Sequence, residues 1–508
     1  MRWGLGHWGR DRWGGGEWPL KLSWALEVDW DNDGVYAGFN EARYMESLVV
    51  RRGRRQFLKT SGKGFEPFMI GEMEVRLNND DRRFDPYYTS GPLYGMLTAG
   101  VPFRLRVYDR ATDIMYPVIE GTIEEPRPVS GNRRVVVLRG FDGQKRLQSN
   151  IKTALQSAYP IDDAIALSLT TAGWTAPTSI DPITDVMPYW WASGKSSWDE
   201  IMDLADSSLG AFYIAADGTA VYKSRNNMLG GASATIDDYL ASFGLKLPQP
   251  QDVVRNVITV NAKPRAIATA VELWRLQDRP AMDAGETITD IWANFNYAGQ
   301  ACPADNVIDP VAGTDFKITQ NSDGTGADLT ASCSYVIQKF ADAVKFTSIT
   351  NGSATPGYIF ILKVRGDALT ASSPSRIVKT NPTSIAALRA EYPWELDTNW
   401  LQDTNFATEV ATFLKSFLSA SGKDFPQIML RDVPALQFGL DLTDRALLDF
   451  VDDELNATLQ VGYIEHRTIN RACDVVDTEF HFEPTIGVGA TDLWFFTAYF
   501  GVTTNFTL

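Results

Sequence analysis

Gly71-Glu-Met-Glu-Val-Arg-Leu-Asn-Asn-Asp80 reads as a strand running into a turn. Met73, Val75 and Leu77 alternate with polar residues, the period of a strand buried on one side only, and Asn78-Asn79-Asp80-Asp81 is a cluster of turn formers. The pattern repeats on either side. Leu26, Val28 and Trp30 alternate before Asp31-Asn-Asp-Gly34, and Phe103, Leu105 and Val107 form a third such strand. Val135-Val-Val-Leu138 reads as a more fully buried one. Short alternating strands between turns predict an antiparallel barrel or sandwich over residues 19–150.

Beyond it, residues 151–240 read as an α+β unit. Asp162 or Asp163 is placed to cap a helix that contains Ile165 and Leu169 and ends at Gly173. Ser197-Trp-Asp-Glu200 has the spacing of a capping box, with Ile201, Leu204, Ala205 and Leu209 on the apolar face and Gly210 as the stop. The stretch from Phe212 to Tyr222 reads as a hairpin turning at Asp217-Gly218. Residues 266–373 change character, with Gly, Ser, Thr and Asn clusters, few charges and short strands at 334–338, 343–349 and 358–364. A strong strand, Val253-Val-Arg-Asn-Val-Ile-Thr-Val-Asn261, precedes them, and helix and strand in the earlier style follow, so they are expected to be a β-sandwich inserted into another domain. In the helical segment 374–424, Phe406, Val410, Phe413, Leu414, Phe417 and Leu418 mark one helix face stopping at Gly422. Strands resume within 425–485, and residues 486–508 are aromatic and nearly uncharged, as a segment packing on a neighbour would be. The expected fold is mainly β with α+β parts, made of several small barrels or sandwiches, one of them inserted.

A chain of 508 residues has room for three or four domains, and 44% apolar residues supply cores for them. A net charge of −16 argues against a nucleic-acid coat and against an anionic membrane as partner. No apolar run reaches the roughly 20 residues needed to span a bilayer, and no signal peptide opens the chain, so a soluble protein made in a cytoplasm is expected. Cys302, Cys333 and Cys473 lie far apart without a CxxC pair; they read as free thiols, a Cys302–Cys333 bridge being the alternative.

Chemistry-bearing patterns are sparse. His7, His466 and His481 are the only histidines, none beside a catalytic motif, and GxSxG, HExxH and the phosphate-binding loop are absent. Among 63 Asp and Glu residues, a glycosidase pair is not singled out. No enzyme and no cofactor are expected. The one ligand-like pattern is Asp29-Trp-Asp31-Asn-Asp33-Gly34, which matches the first half of an EF-hand calcium loop. Position twelve is Asn40, with Glu41 one residue late, so two readings stand: a turn whose side chains bond their own backbone, or a weak calcium site. Arg51, Arg52, Arg54 and Arg55, followed by Lys59 and Lys63, form a basic cluster that reads as a solvated loop, then as a contact with an acidic neighbouring subunit, and third as a nucleic-acid contact. Within residues 1–18, Trp3, Trp8, Trp13 and Trp18 recur every five residues between glycines, a period of neither helix nor strand. Two readings stand: a floppy tail, or an extended arm that docks its indoles into pockets on a partner, the second favoured because four exposed tryptophans would be a solubility liability.

The order of several landmarks resembles the baseplate-hub proteins of bacteriophage tails. They are Glu27-Val-Asp-Trp-Asp-Asn-Asp-Gly34, Val50-Arg-Arg-Gly53, Gly71 to Asp80, Arg83-Phe-Asp-Pro86 and Pro92-Leu-Tyr-Gly-Met-Leu97. Gly100-Val-Pro-Phe-Arg-Leu-Arg106, Gly121-Thr-Ile and Arg139-Gly-Phe-Asp-Gly143 follow, then Ile359-Phe-Ile-Leu-Lys-Val-Arg-Gly366 and Gly462-Tyr-Ile-Glu-His-Arg467. The resemblance implies two hub barrels, one near 19–150 and one assembled from 241–265 and 425–485. It also implies a homotrimer facing a sixfold tail tube, joined to tip or fibre proteins and lining the DNA exit channel in the virion tail. The inserted sandwich would project outward, where a host surface glycan is a candidate ligand. A glycan-binding protein or glycoside hydrolase is the alternative.

Overall fold

The computed structural model describes residues 22–484, apart from 37–38, 55–57, 60, 125, 130–133, 226–233, 238–240, 247–253, 420–426, 452–456 and 473–474. The Trp/Gly arm with Trp3, Trp8, Trp13 and Trp18, the segment 486–508, Gly422 and Cys473 lie outside the described residues. The first seven strands are β1 (Leu22–Val28), β2 (Met45–Gly53), β3 (Met69–Asn78), β4 (Pro102–Asp109), β5 (Ile114–Ile123), β6 (Arg127–Val129) and β7 (Val135–Asp142). They pair in the order β1-β4-β5-β7-β3-β2, with β6 on β7. Alternation sets the inward face: Leu26, Val28, Met73, Val75, Leu77, Phe103, Leu105 and Val107 are all fully buried in one core. Two expectations shift. Val135–Leu138 alternates too, with Val137 half-buried, and Trp30 is buried in a turn after β1 rather than in a strand.

Next come β8 (Asn150–Lys152), β9 (Gln156–Pro160), α1 (Ile161–Thr171), β10 (Thr178–Ile180), β11 (Val186–Trp190), β12 (Ser193–Ser196), α2 (Ser197–Ser208), β13 (Ala211–Ile214) and β14 (Ala220–Lys223). The β13–β14 hairpin turns at Asp217-Gly218, where Gly218 has φ +82°. Neither expected N-cap holds. Pro160 precedes α1 without a side-chain cap, and Asp162 and Asp163 sit inside its first turn, where they oppose the positive end of the helix dipole. At α2 the capping residue is Ser196, whose Oγ accepts from the Asp199 amide; Ser197 is buried one position inside. Glu200, freed from a capping role, is buried and accepts the Trp190 indole N–H. The stop is Leu209, left-handed at φ +57°, rather than Gly210.

The chain continues through β15 (Ala234–Asp237), β16 (Ala241–Lys246) and β17 (Val257–Ala262). Then follow β18 (Arg265–Arg275), β19 (Ala281–Met282), β20 (Thr287–Asn294), β21 (Asn296–Tyr297), β22 (Gln300–Ala301), β23 (Ala304–Ile308), β24 (Phe316–Thr319), β25 (Cys333–Lys339), β26 (Ala343–Asn351) and β27 (Gly357–Ala371). β27, a 15-residue strand, binds β18, β19, β23 and β24, and a second sheet runs β20-β26-β25. Between them lies a core of their own around Leu273, Phe295, Phe316, Phe346 and Leu362. Cys302 and Cys333 are free thiols there.

The last stretch is β28 (Ser375–Thr380), α3 (Pro382–Leu388), β29 (Pro393–Leu396), α4 (Thr404–Leu418), β30 (Gln427–Arg431), α5 (Pro434–Gly439), β31 (Arg445–Val451), β32 (Ala457–Ala472) and β33 (Val475–Pro484). Residues 374–424 are therefore strand as well as helix. β17, expected beside 425–485, instead lies between β28 and β29. Its Ile258, Val260 and Ala262 are covered by Val410, Leu414, Phe417 and Leu418 of α4, a better burial for that face than a strand edge gives. β15, expected among residues 151–240, pairs in parallel with β31. Strands from both expected hub parts are paired in one continuous 13-stranded sheet. The cause is the length of β32: its 16 residues pair with β31 through 457–463 and with β2 through 466–472.

Candidate functional site

The Asp29–Asp33 turn is the first candidate. One oxygen each of Asp29, Asp31 and Asp33 lies within 4.8 Å of the others. Asp29 is buried and already engaged: Oδ1 accepts from the Asp33 amide at 3.1 Å and Oδ2 from the Gly34 amide at 2.9 Å. Desolvation, then the neighbouring Asp33 and Asp29, push Asp31 above the ordinary carboxylate value. Glu41, the late candidate for a bidentate ligand, is fully buried, accepting the Trp30 indole N–H at 3.1 Å and the Arg83 guanidinium at 2.7 and 2.9 Å. With Asp29 spent on the turn's own backbone and Glu41 on Trp30 and Arg83, the exposed Asp31 and Asp33 are left as the carboxylates for a hard cation, too few for a tight site. Isothermal titration with calcium is expected to show no binding tighter than about 100 μM, the weak end of such loops. A sub-micromolar constant would mean that the turn rearranges around the ion.

The basic cluster splits. Arg51 stays on the surface near Glu72, and Arg55 is outside the described residues. Arg52 points inward, 2% exposed, and shares Asp441 with Arg467, which is 1% exposed. Arg52 also donates to the Ile214 carbonyl at 2.6 Å, Arg467 donates to the Gln437 and Leu440 carbonyls at 2.8 and 3.1 Å, and the Ala216 amide donates to Asp441 at 2.9 Å. Burial alone would raise the Asp441 carboxyl; the Arg52 and Arg467 guanidiniums outweigh it and hold it below its ordinary value. The triad ties β2, the β13–β14 hairpin and the α5–β31 connection to one point.

On the face of the large sheet turned away from the core, opposite charges meet across strands. Glu27 on β1 takes Arg104 and Arg106 of β4, both at 2.6 Å; Glu74 on β3 takes Arg139 of β7 at 3.0 Å; Asp477 on β33 takes Arg431 of β30 at 2.6 Å. Arg51 and Glu72 stand opposite each other at 4.0 Å. Each exposed pair contributes only tenths of a kcal/mol, about 0.2–1. Their collective effect is electrostatic: guanidiniums already held by carboxylates offer little to a passing phosphate.

Lys59 and Lys63 reach a third place, a cleft of about 420 Å³ between α2, the turn at 58–65 and residues 396–399. Asp199, Asp203 and Asp206 line it from α2, at a spacing of four and three that puts them on one helix face. The sequence reading of α2 followed its apolar face and passed over this acidic one, for which the Asp-x3-Asp-x2-Asp spacing was the available signal. Lys195 pairs with Asp203 at 3.5 Å, Lys63 with Glu395 at 3.0 Å and Lys263 with Asp397 at 2.7 Å. Of the histidines, His481 sits on β33 with Glu479 at 3.1 Å.

No protein-family model and no curated protein sequence matches this chain. Solved structures do. The tail protein from Neisseria meningitidis MC58 aligns with 92% of this chain and 97% of its own, at a TM-score of 0.50 and 12% identity. A 43 kDa tail protein of prophage MuSo2 from Shewanella oneidensis aligns with 91% of this chain and 97% of its own (TM-score 0.47, 8% identity). The prophage tail protein gp18 from Listeria monocytogenes EGD-e covers 93% and 97% (TM-score 0.42, 8% identity). At these identities the likeness is one of fold: over nine-tenths of its length, this chain is folded like the Neisseria tail protein.

Proposed function

We propose that the chain is a non-enzymatic structural hub of a bacteriophage tail tip, made in the host cytoplasm and carried in the virion. Three copies join the tail tube to tip or fibre proteins around the channel through which DNA leaves. The observation that carries this reading is the fold shared along 92% of the chain with a tail protein. The paired charges on the sheet's polar face suit a wall that DNA passes without sticking, because no surplus of cations is offered to phosphates. A hydrolase reading has less support. Glycosidases act with two carboxyl groups on opposite sides of the scissile bond; here the carboxylate facing Asp203 and Asp206 across the cleft, Asp397, is held by Lys263 at 2.7 Å.

In this reading the arm at 1–18 docks Trp3, Trp8, Trp13 and Trp18 onto a neighbouring subunit or tail protein. Ordering it costs roughly 1 kcal/mol or more per residue, which burial of indoles at about 2–3 kcal/mol each offsets only where a partner supplies pockets. Native mass measurement of the full chain is expected to give a trimer. Deleting residues 1–18 should leave its melting temperature unchanged while abolishing incorporation into tails seen by electron microscopy. A chain that stays monomeric at high concentration and is missing from purified tails would end the hub reading. A deletion that unfolds the protein would place the arm in the fold instead.

A further inference from the structure

Lys263 follows directly on β17, where the chain turns toward β18, and its backbone is fixed there: the Lys263 amide donates to the Leu401 carbonyl at 2.7 Å. That bond lays it beside the segment 397–401, which is itself tied to α2 through the Thr398 and Ser207 hydroxyls, 2.8 Å apart. The Lys263 amine meets two side chains. Asp397 holds it at 2.7 Å, and it donates to Oδ1 of Asn399 at 3.1 Å. The other end of that carboxamide is occupied as well, Nδ2 of Asn399 donating to Oδ2 of Asp203 at 3.1 Å. Asp397, Lys263, Asn399 and Asp203 thus form one line of contacts, and all but Lys263 border the cleft beside α2. Lys263 and Asp203 are largely shielded, with side chains 26% and 17% exposed. Burial, against the pull of Lys195, holds the Asp203 carboxyl above its ordinary value.

An amine, a carboxylate on the amine, an amide, and an acid on the amide nitrogen are the parts that an amide exchange needs. We propose that Lys263 and Asn399 join in an isopeptide bond, a covalent tie at the root of the sheets built on β18 and β27. Asp397 takes one proton from the Lys263 ammonium. The freed amine attacks Cγ of Asn399, one bond, about 1.2 Å, beyond the oxygen that it touches. A turn about the last lysine torsion carries it from that oxygen to the face of the carbonyl. The new C–N bond forms and the Cγ–Nδ2 bond breaks. Asp203 gives its proton to Nδ2 and takes up the one that the new amide nitrogen sheds. Ammonia leaves by way of the cleft and picks up the proton held by Asp397. Atoms and charge balance without an oxidant: a lysine ammonium and a carboxamide become a secondary amide and an ammonium ion. Asp397 is a weak base for an ammonium, so the step is slow, but it happens once per molecule and the fold keeps the reactants together throughout. The ring so closed takes in everything from β18 to β29. The proposal stands independently of the hub reading.

The test is the mass of the full chain after incubation at mildly alkaline pH. Intact mass spectrometry is expected to find the parent lighter than its sequence by one molecule of ammonia. Tryptic mapping should find a branched peptide joining Lys263 to Asn399, with no cleavage after Lys263. Lys263→Arg keeps a cation for Asp397 but cannot be deprotonated to attack, so it should have its full sequence mass, as should Asn399→Ala. Asp203→Asn removes the acid, and in freshly refolded chain the mass loss should be slower by about a hundredfold. An unchanged rate there would overturn the role given to Asp203. Contacts that only brace the fold would leave the parent and every variant at their sequence masses, and that result overturns the proposal. So does loss of ammonia from Lys263→Arg, which would mark cyclisation of an asparagine instead. If Lys263→Arg does not fold, the tryptic map of the parent decides, and a map without the branched peptide ends the proposal.

Discussion

Replacing Asp441 with alanine is expected to lower the unfolding free energy by about 3–5 kcal/mol, the usual result of stripping one partner from a buried charge pair. The estimate rests on what remains. Arg52 and Arg467, 2% and 1% exposed, would keep their carbonyl partners and lose the one carboxylate they share. Neither can shed its proton to escape. Asp441→Asn keeps an acceptor for the Ala216 amide and removes only the charge, so it should cost less than alanine. The pH dependence has a definite sign. The folded pKa of Asp441 is depressed, so its contribution is complete above the ordinary carboxylate value of about 4 and disappears as pH falls through the folded pKa. Urea unfolding curves should therefore show the gap between the parent and Asp441→Asn narrowing in acid. Equal stability of the two at pH 7 would show that the triad holds nothing together.

An equally large loss is expected from Gly121→Ala. A Cβ at Gly121 would lie 1.8 Å from the carbonyl oxygen of Phe141 and 2.8 Å from the Cα of Asp142, both backbone of β7. No rotamer relieves that contact, and Gly121 is paired directly with Asp142, so β5 and β7 would have to part. The cost should reach or exceed the upper end of ordinary overpacking, about 3 kcal/mol. Gly95→Ala is the comparison. It carries the left-handed strain of φ +83° but meets nothing within 4 Å, so it should cost only about 1 kcal/mol. Similar urea midpoints for the two variants would refute the crossing as the cause.

These close contacts bear on what the sequence could tell. Gly71, Gly121, Gly140 and Gly143 were landmarks of the resemblance to tail hubs, and each now has a physical reason. A side chain would strike Asp142 at Gly71, the β7 backbone at Gly121, the Phe103 ring at Gly140 and the Trp174 ring at Gly143. Alternation was legible because burial acts locally: Met73, Val75 and Leu77 are all at zero exposure. Strand partners were not, since nothing local in Val257–Ala262 or Ala234–Asp237 distinguishes one sheet from another. The same limit hid Arg83, whose grip on Glu41 spans 42 residues and decides how the Asp29 turn behaves. At α2 the choice between Ser196 and Ser197 as cap turned on one residue, and with it the fate of Glu200.

The way the chain enters and leaves its extra pair of sheets has a wider consequence. Arg265 and Ala371 face each other across β18 and β27, and just beneath them Ala262 faces Ser375 across β17 and β28. The Ser372 amide donates to the Pro264 carbonyl between the two pairs, at 3.1 Å. Some hundred residues thus leave and return through one antiparallel ribbon, whose geometry a short turn would satisfy equally well, and they touch the rest of the protein besides through Asp342 on Lys152, Asp305 on Ser157 and the Ala341 amide on the Thr153 carbonyl. Over evolutionary time such a stem works as a socket. Whatever is carried on β18 and β27 can be exchanged, enlarged or trimmed to suit a new environment, while β17 goes on packing under α4 as before.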